Sequence, residues 1–241
     1  MDYNENGMYP GGEYQEGYAP VESVGRYTAR AFLWMFAGLT VTFLTALGMA
    51  VSGLIFRVFS IPYFHVILLV ATLAVVFILS GRLHKMSVGA ARAMFFVYAI
   101  LNGVVFSVYL LAYDVFSLIL VFGATALYFG GMAVFGWVTK VDLSRIRNVL
   151  VGGLIFLIVF GLLSAFIPGL AIFDRLLCLA GVAIFLAFTA YDTQKIKAYY
   201  AAYQGDAAML KKASIFSALQ LYLDFINLFL YLLRILGRRR N

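Results

Sequence analysis

Charge is what this chain has least of. Asp, Glu, Lys and Arg make up 12% of its 241 residues, where a soluble domain keeps roughly a quarter. That shortage excludes a water-soluble enzyme. Cysteine is nearly missing as well. The one thiol, Cys178, stands inside an apolar run and has no partner within the chain, so no disulfide framework exists, and a buried, inert thiol is expected. Histidine is limited to His65 and His84. With so few imidazoles and thiols no metal cluster of the usual kind can be assembled, and no resident cofactor is expected.

What fills the chain instead is apolar: 64% hydrophobic residues and a mean hydropathy of +0.95. The composition is that of an integral membrane protein whose first partner is the lipid bilayer. A net charge of +7 invites a nucleic-acid reading, but the positions oppose it. Five of the eleven acids fall in the first 22 residues, and the basic residues flank the apolar runs. Such a pattern carries membrane topology, not a nucleic-acid patch.

Residues 1–25 are rich in Gly, Tyr and Glu and have no apolar periodicity. They are expected to be a disordered tail, and they lack the basic start and apolar core of a signal peptide. Residues 26–241 form the membrane domain. Seven apolar segments lie in it, over 31–56, 61–81, 89–112, 115–138, 149–170, 173–194 and 214–236, each near the ~20 residues that cross ~30 Å of hydrocarbon. Phe59-Ser60-Ile61-Pro62 turns the first pair, Ala112-Tyr113-Asp114 joins the third and fourth, and Pro168-Gly169 ends the fifth. Because only helices satisfy their own backbone groups in lipid, the spacing predicts an all-α bundle of seven transmembrane helices. Six helices before the seventh could form two triplets of opposite topology, but residue matches between the halves do not establish a repeat.

The loops after segments two, four and six, with their flanks, hold ten Lys and Arg: Arg82, Lys85, Arg92, Lys140, Arg145, Arg147, Lys195, Lys197, Lys211 and Lys212. The loops after one, three and five hold Arg57 and Arg175. The positive-inside rule makes the basic loops cytoplasmic and, with Arg26 and Arg30, the N-terminus too. The expected location is the plasma (inner) membrane, crossed several times. Arg234, Arg238, Arg239 and Arg240 conflict with this, since a seventh segment that crosses completely carries them outside. Either it crosses, or it enters the membrane without leaving; the expectation here is a full-length helix held inside the bundle.

That helix has an unusual face. Ser217, Gln220, Asp224, Asn227 and Tyr231 are spaced three, four, three and four, so they line one side, opposite Leu219, Leu223, Phe225, Leu230 and Leu233. Tyr98, Asn102 and Tyr109 on the third segment are a possible counterpart. Such a stripe is either a hydrogen-bonded seam between helices or the lining of a path. Two acids decide between them: apart from Asp174 at the very start of the sixth segment, Asp192 and Asp224 are the only acids inside the predicted spans, and a carboxylate at that depth costs roughly 2.5–3.5 kcal/mol. Asp224 is 12 residues past Lys212, about 18 Å along a helix. Contact with Asp192 therefore requires the seventh helix to tilt or start deep, or the sixth to continue past Lys197. If the carboxyls meet, both cannot ionise cheaply, so they share a proton and form a pH sensor. Arg82, at the end of the second segment, is the natural cation to latch Asp192; the bland alternative is an interfacial anchor.

At these residues the chain resembles the Bax inhibitor family, its bacterial branch in particular. The likeness spans about residues 26–237 and rests on L-Y-L-D-F-I-N-L-F (221–229) with L-L-R (232–234), on T-A-Y-D-T-Q-K-I (189–196), and on T-K-V-D-L-S (139–144). The resemblance implies two three-helix layers around a central C-terminal helix, and a pH-dependent calcium leak across the membrane. The family's paired aspartates fall on Asp192 and Asp224, and its arginine latch falls on Arg82. Calcium is then a permeant ion, touching Asp192 and Asp224 in transit, with Gln220, Asn227, Ser217, Tyr231 and Asn102 as candidate pore lining. A hard cation needs several oxygen ligands, and two carboxylates with amide and hydroxyl oxygens suit brief occupancy. The expected function is thus a pH-sensitive calcium-permeable leak channel and not an enzyme, with calcium and protons as its small partners. Two rivals share the acids. A proton-coupled carrier would use them as a relay. An intramembrane aspartyl protease also places Tyr-Asp on one helix and Asp on the next, but its G-x-G-D and Pro-Ala-Leu motifs are missing here.

Overall fold

Four of the eight described α-helices start where a short polar side chain takes up backbone N–H groups that have no partner within the helix. The computed structural model describes residues 22–240. Ser23 accepts from the Arg26 N–H at 3.3 Å and opens α1, Val24–Val51. Gly53 then takes a left-handed conformation (φ +68), which interrupts the helix and leaves a short α2, Leu54–Phe59. This break replaces the single segment expected over 31–56. Next come α3, Phe64–Arg82, and α4, Val88–Ala112, the latter capped by Ser87 on the Ala90 N–H at 3.1 Å. Asp114 caps α5, Val115–Val138, on the Ser117 N–H at 3.0 Å. A 3-10 turn, Leu143–Ile146, leads into α6, Arg147–Phe166, and a second, Pro168–Phe173, into α7, Asp174–Tyr203. Asp206 accepts from the N–H groups of Ala208 and Met209, both at 2.9 Å, and starts α8, Ala207–Leu236. The expected tail lies outside the described residues except for 22–25, where α1 has already begun.

Among the described residues seven segments are long and apolar enough to cross a membrane: α1, α3, α4, α5, the stretch Leu143–Ser164 containing most of α6, α7 and α8. Phe36, Phe77, Leu127 and Leu162 point outward, at 65%, 71%, 80% and 58% exposure, an apolar skin that water would not tolerate and lipid requires. The expectation of an all-α membrane protein with seven spans holds.

Burial is concentrated in one helix. In its most apolar window α8 is 67% buried, against 11% for α3 and for the α6 stretch. It packs on α1, α4, α5 and α7. On one side α4 joins α1 to α3; on the other α7 joins α5 to α6. Small residues permit the closest approaches, as is usual where helices pack without water between them. A Cβ on Gly136 of α5 would run into the backbone carbonyl of Ala190 on α7.

End contacts fix the direction of each helix. The start of α1 meets the end of α7 through Tyr27 and Tyr200, whose rings are 5.6 Å apart. The start of α8 meets the loop after α3, where the Lys212 ammonium donates to the His84 carbonyl at 3.1 Å. These contacts define a basic end. At the far end Arg234 pairs with Asp174, and the residues after α8 pair with the turn between α4 and α5. The Asp114 N–H donates to the Arg238 carbonyl, and the Arg240 N–H to the Ala112 carbonyl, both at 3.0 Å. The last helix therefore runs the whole length of the bundle, and its four terminal arginines sit opposite the basic loops.

Candidate functional site

The α7–α8 hairpin is longer than hydropathy indicates. α7 continues to Tyr203 instead of ending at 194, and α8 begins at Ala207 instead of 214. Lys195, Lys197, Lys211 and Lys212 lower the hydropathy of these turns, yet lysine is a good helix former. Each helix has 30 residues, about 45 Å at 1.5 Å per residue. Asp192 is eleven residues before the end of α7, about 16 Å inside the hairpin. The extension past Lys197 is what brings the two aspartates to comparable depth.

Asp192 is 6% exposed and Asp224 4%. The Gln220 amide donates to Asp192 Oδ1 at 3.1 Å. In an antiparallel pair this contact places Asp224 one turn deeper than Asp192, and the carboxyls lie within electrostatic reach of each other. Every other described acid has employment. Glu22 pairs with Arg30 and Asp174 with Arg234, while Asp114, Asp142 and Asp206 accept from backbone N–H groups at helix starts. Among the described residues Asp192 has only Gln220 as a hydrogen-bond partner. Asp224 has a fully buried Oδ2 with no hydrogen-bond partner among the described residues, and a buried orphan of this kind is uncommon.

The polar stripe of α8 faces α7. Gln220 meets Asp192, and Tyr231 stacks on Phe185 with ring centres 5.9 Å apart. Asn227 returns its amide to the Leu223 carbonyl at 2.7 Å. Ser217 is buried, its hydroxyl unpartnered. The proposed counterpart on α4 belongs elsewhere. Tyr98 packs edge-on to Tyr222 at 5.7 Å, and Asn102 bonds back to the Tyr98 carbonyl at 3.0 Å. Tyr222 is two residues from Asp224, about 200° round the helix, and its hydroxyl meets Thr42 Oγ1 of α1 at 2.6 Å. Tyr109 stacks on Tyr113. Tyr98, Tyr222 and Thr42, with Asn102 beside them, make a separate polar contact on the α1–α4 side, and Tyr109 lies apart at the far end of α4.

Arg82 does not join the aspartates here. It ends α3, exposed, and forms no ion pair among the described residues. The loop it enters meets the base of the hairpin, with His84 against the Tyr203 ring at 6.1 Å, about 16 Å along α7 from Asp192. The cation within electrostatic reach of both acids is Lys195, which also lies over the Tyr191 and Tyr199 rings at 5.5 and 5.2 Å. Its spacing of three from Asp192 puts it on the same helix face, a signal present in the sequence but absorbed there into the topology count. Gln194 is a second such residue. Its amide spans the α5–α6 loop, accepting from the Leu143 N–H at 2.9 Å and donating to the Val141 carbonyl at 2.7 Å. Two motifs distant in the chain, T-K-V-D-L-S and T-A-Y-D-T-Q-K-I, are thereby one structural unit.

The family model described as Inhibitor of apoptosis-promoting Bax1 matches residues 24–241, the whole helical part of the chain. The chain belongs to the Bax inhibitor family. Among its relatives in that family, the inner membrane protein YbhL of Escherichia coli (strain K12) is 37% identical over 223 residues, 92% of this chain and 95% of the relative. Uncharacterized proteins of Borreliella burgdorferi and Deinococcus radiodurans are 36% and 38% identical, over 220 and 226 residues. These alignments cover 90% and 92% of this chain and 93% and 94% of the relatives. As a member of the Bax inhibitor family with seven candidate spans, the protein is a multi-pass membrane protein.

Proposed function

We propose that this Bax inhibitor family protein is a pH-sensitive, calcium-permeable leak of the plasma membrane, its sensor the carboxyl pair Asp192 and Asp224. The observation that carries the reading is the contrast among the acids. All the described acids but these two cap a helix or pair with arginine, and these two are buried on facing helices within electrostatic reach. Two such carboxyls compete for one proton. Gain or loss of that proton changes the charge in the α7–α8 seam, and a seam between packed helices is a bistable element on which such a change can act. Calcium as the permeant ion is supported by the family and by the oxygens on offer, two carboxylates with Gln220 beside them, too few for tight storage and adequate for passage.

The location is supported by the name of the E. coli relative, an inner membrane protein, and the orientation by the positive-inside rule, which puts the basic end in the cytoplasm. Arg82 stands apart from the pair, so the sensor as read here comprises the two acids with Lys195 as their near cation.

The test is calcium flux into proteoliposomes, measured from acid to mildly alkaline pH, for the wild type beside Asp192→Asn and Asp224→Asn. Both substitutions should flatten the pH profile. An unchanged titration in both rejects the sensor. Saturable uptake driven by a pH gradient would instead indicate a proton-coupled carrier, and peptide cleavage abolished by Asp224→Asn a protease.

A further inference from the structure

Hydroxyls inside these helices normally bond back to a carbonyl three or four residues earlier, the cheapest solution for Ser and Thr away from water. Thr40, Thr42, Thr72, Thr125 and Thr189 do so, as do Ser107 and Ser164. Four others are buried and do not: Thr28 of α1, Thr193 of α7, and Ser214 and Ser217 of α8. A fifth orphan hydroxyl, that of Tyr27, starts α1 beside them. None of the five is more than 9% exposed.

These side chains are not scattered. Tyr27 packs on Tyr200, and its hydroxyl lies beside that of Ser217. Thr193 follows Asp192 directly and lies seven residues, two turns, before Tyr200, so both turn to the α1 side of α7. Ser214 and Ser217 are one turn apart on α8, and Asp224, whose Oδ2 is the next orphan, follows two turns further in. Tyr27, Thr193, Ser214, Ser217 and Asp224 thus form a file in the groove between α1, α7 and α8; Thr28 lies about 100° round α1 from Tyr27, in line with Met35 and Thr42, outside it. The file begins at the basic end and stops at the deeper carboxyl.

We infer that this file is the aqueous approach to the aspartate pair, a route for a hydrated cation and its water from the basic end to Asp224. The inference rests on reading Asp192 and Asp224 as functional carboxylates and names the way in to them. Each hydroxyl both donates and accepts, so the file can exchange partners with a moving hydration shell where a carbonyl ladder can only accept. In the packed conformation the same hydroxyls stay unpaired, which stores a preference for water.

The chain's single thiol, Cys178, is 1% exposed, so the wild-type protein serves as the blank for cysteine labelling. Thr193→Cys, Ser214→Cys and Ser217→Cys would be reconstituted and treated with a membrane-impermeant cationic methanethiosulfonate, applied in turn to each face of the membrane. Ala218→Cys and Leu228→Cys, on buried positions outside the file, are the controls. Labelling from the basic end, at least about tenfold faster than the controls and slowing from Ser214 to Ser217 to Thr193, is expected. Rates equal to the controls overturn the route and leave a dry seam between helices. Because labelling is read without calcium, a labelled file in a protein with no pH-dependent flux overturns the sensor and spares the route; an unlabelled file with normal flux does the reverse. Should a cysteine variant fail to fold, Thr193→Val and Ser217→Ala remove only the hydroxyls. They should leave thermal stability unchanged or higher while slowing flux severalfold, and unaltered flux in both overturns the route.

Discussion

Replacing Asp224 should make the protein more stable while disabling its response to pH. Asp224 is 4% exposed, its Oδ2 has no partner, and no Lys or Arg forms an ion pair with it among the described residues. An unsatisfied buried polar group costs about 1–3 kcal/mol. Asp224→Ala removes that cost and empties roughly 20 Å³, which at ~24 cal/mol per Å³ takes back about 0.5 kcal/mol. The net gain is on the order of 0.5–2.5 kcal/mol, and at roughly 2–4 °C per kcal/mol for a chain of this size the Tm rises by about 1–10 °C. Asp224→Asn keeps the volume and should lie between Ala and wild type. The assay is thermal unfolding of detergent-purified protein, read beside the flux profile of the same preparation. Asp206→Ala is the internal contrast, since that carboxylate takes two backbone N–H groups at the start of α8; its loss should cost about 0.5–2 kcal/mol. If Asp224→Ala and Asp224→Asn both lower the Tm as Asp206→Ala does, Asp224 is a structural partner and the argument from its isolation fails.

Gly136→Val should lower the Tm by several degrees, because its side chain meets the Ala190 carbonyl across the α5–α7 contact and overpacking costs about 1–3 kcal/mol. A Tm equal to the wild type would show that the two helices are not held together there. Tyr222→Phe removes the 2.6 Å bond to Thr42, worth about 1 kcal/mol, and should leave the pH profile of flux untouched, since that hydroxyl lies on the α1 side. A shifted profile would join the two polar contacts into one. Arg82→Gln should disturb the pH profile less than Asp192→Asn does, because Arg82 is exposed and forms no ion pair among the described residues. Flattening as complete as that of the aspartate variants would reinstate the latch implied by the family resemblance.

Much of this architecture is written in hydropathy and period. The apolar runs locate seven spans, and the spacing of Ser217, Gln220, Asp224, Asn227 and Tyr231 assigns them to one face, which turns toward α7 through Gln220 and Tyr231. The ends of helices were harder to read. Lysines at 195, 197, 211 and 212 weaken the apolar signal without weakening the helix, so the hairpin looked shorter than it is and the aspartates looked further apart. Tyr98 and Asn102 have the right chemistry for the aspartate site but face Tyr222, about 200° away on α8. Arg82 has the right charge and the right end of the bundle, yet its loop meets the base of the hairpin instead of its interior.

The division has a physical cause. Sequence by itself determines that this chain lives in a membrane, how many times its helices are long enough to cross, and which side of each helix is polar, because those properties depend on residues within one or two turns of each other. Only the tertiary structure decides which polar side meets which. The pairing of Gln220 with Asp192, the isolation of Asp224, and the docking of Arg238 and Arg240 on the α4–α5 turn all depend on helix rotation and register. Those are set by contacts between segments far apart in the chain, such as Gly136 against Ala190, and no local pattern encodes them.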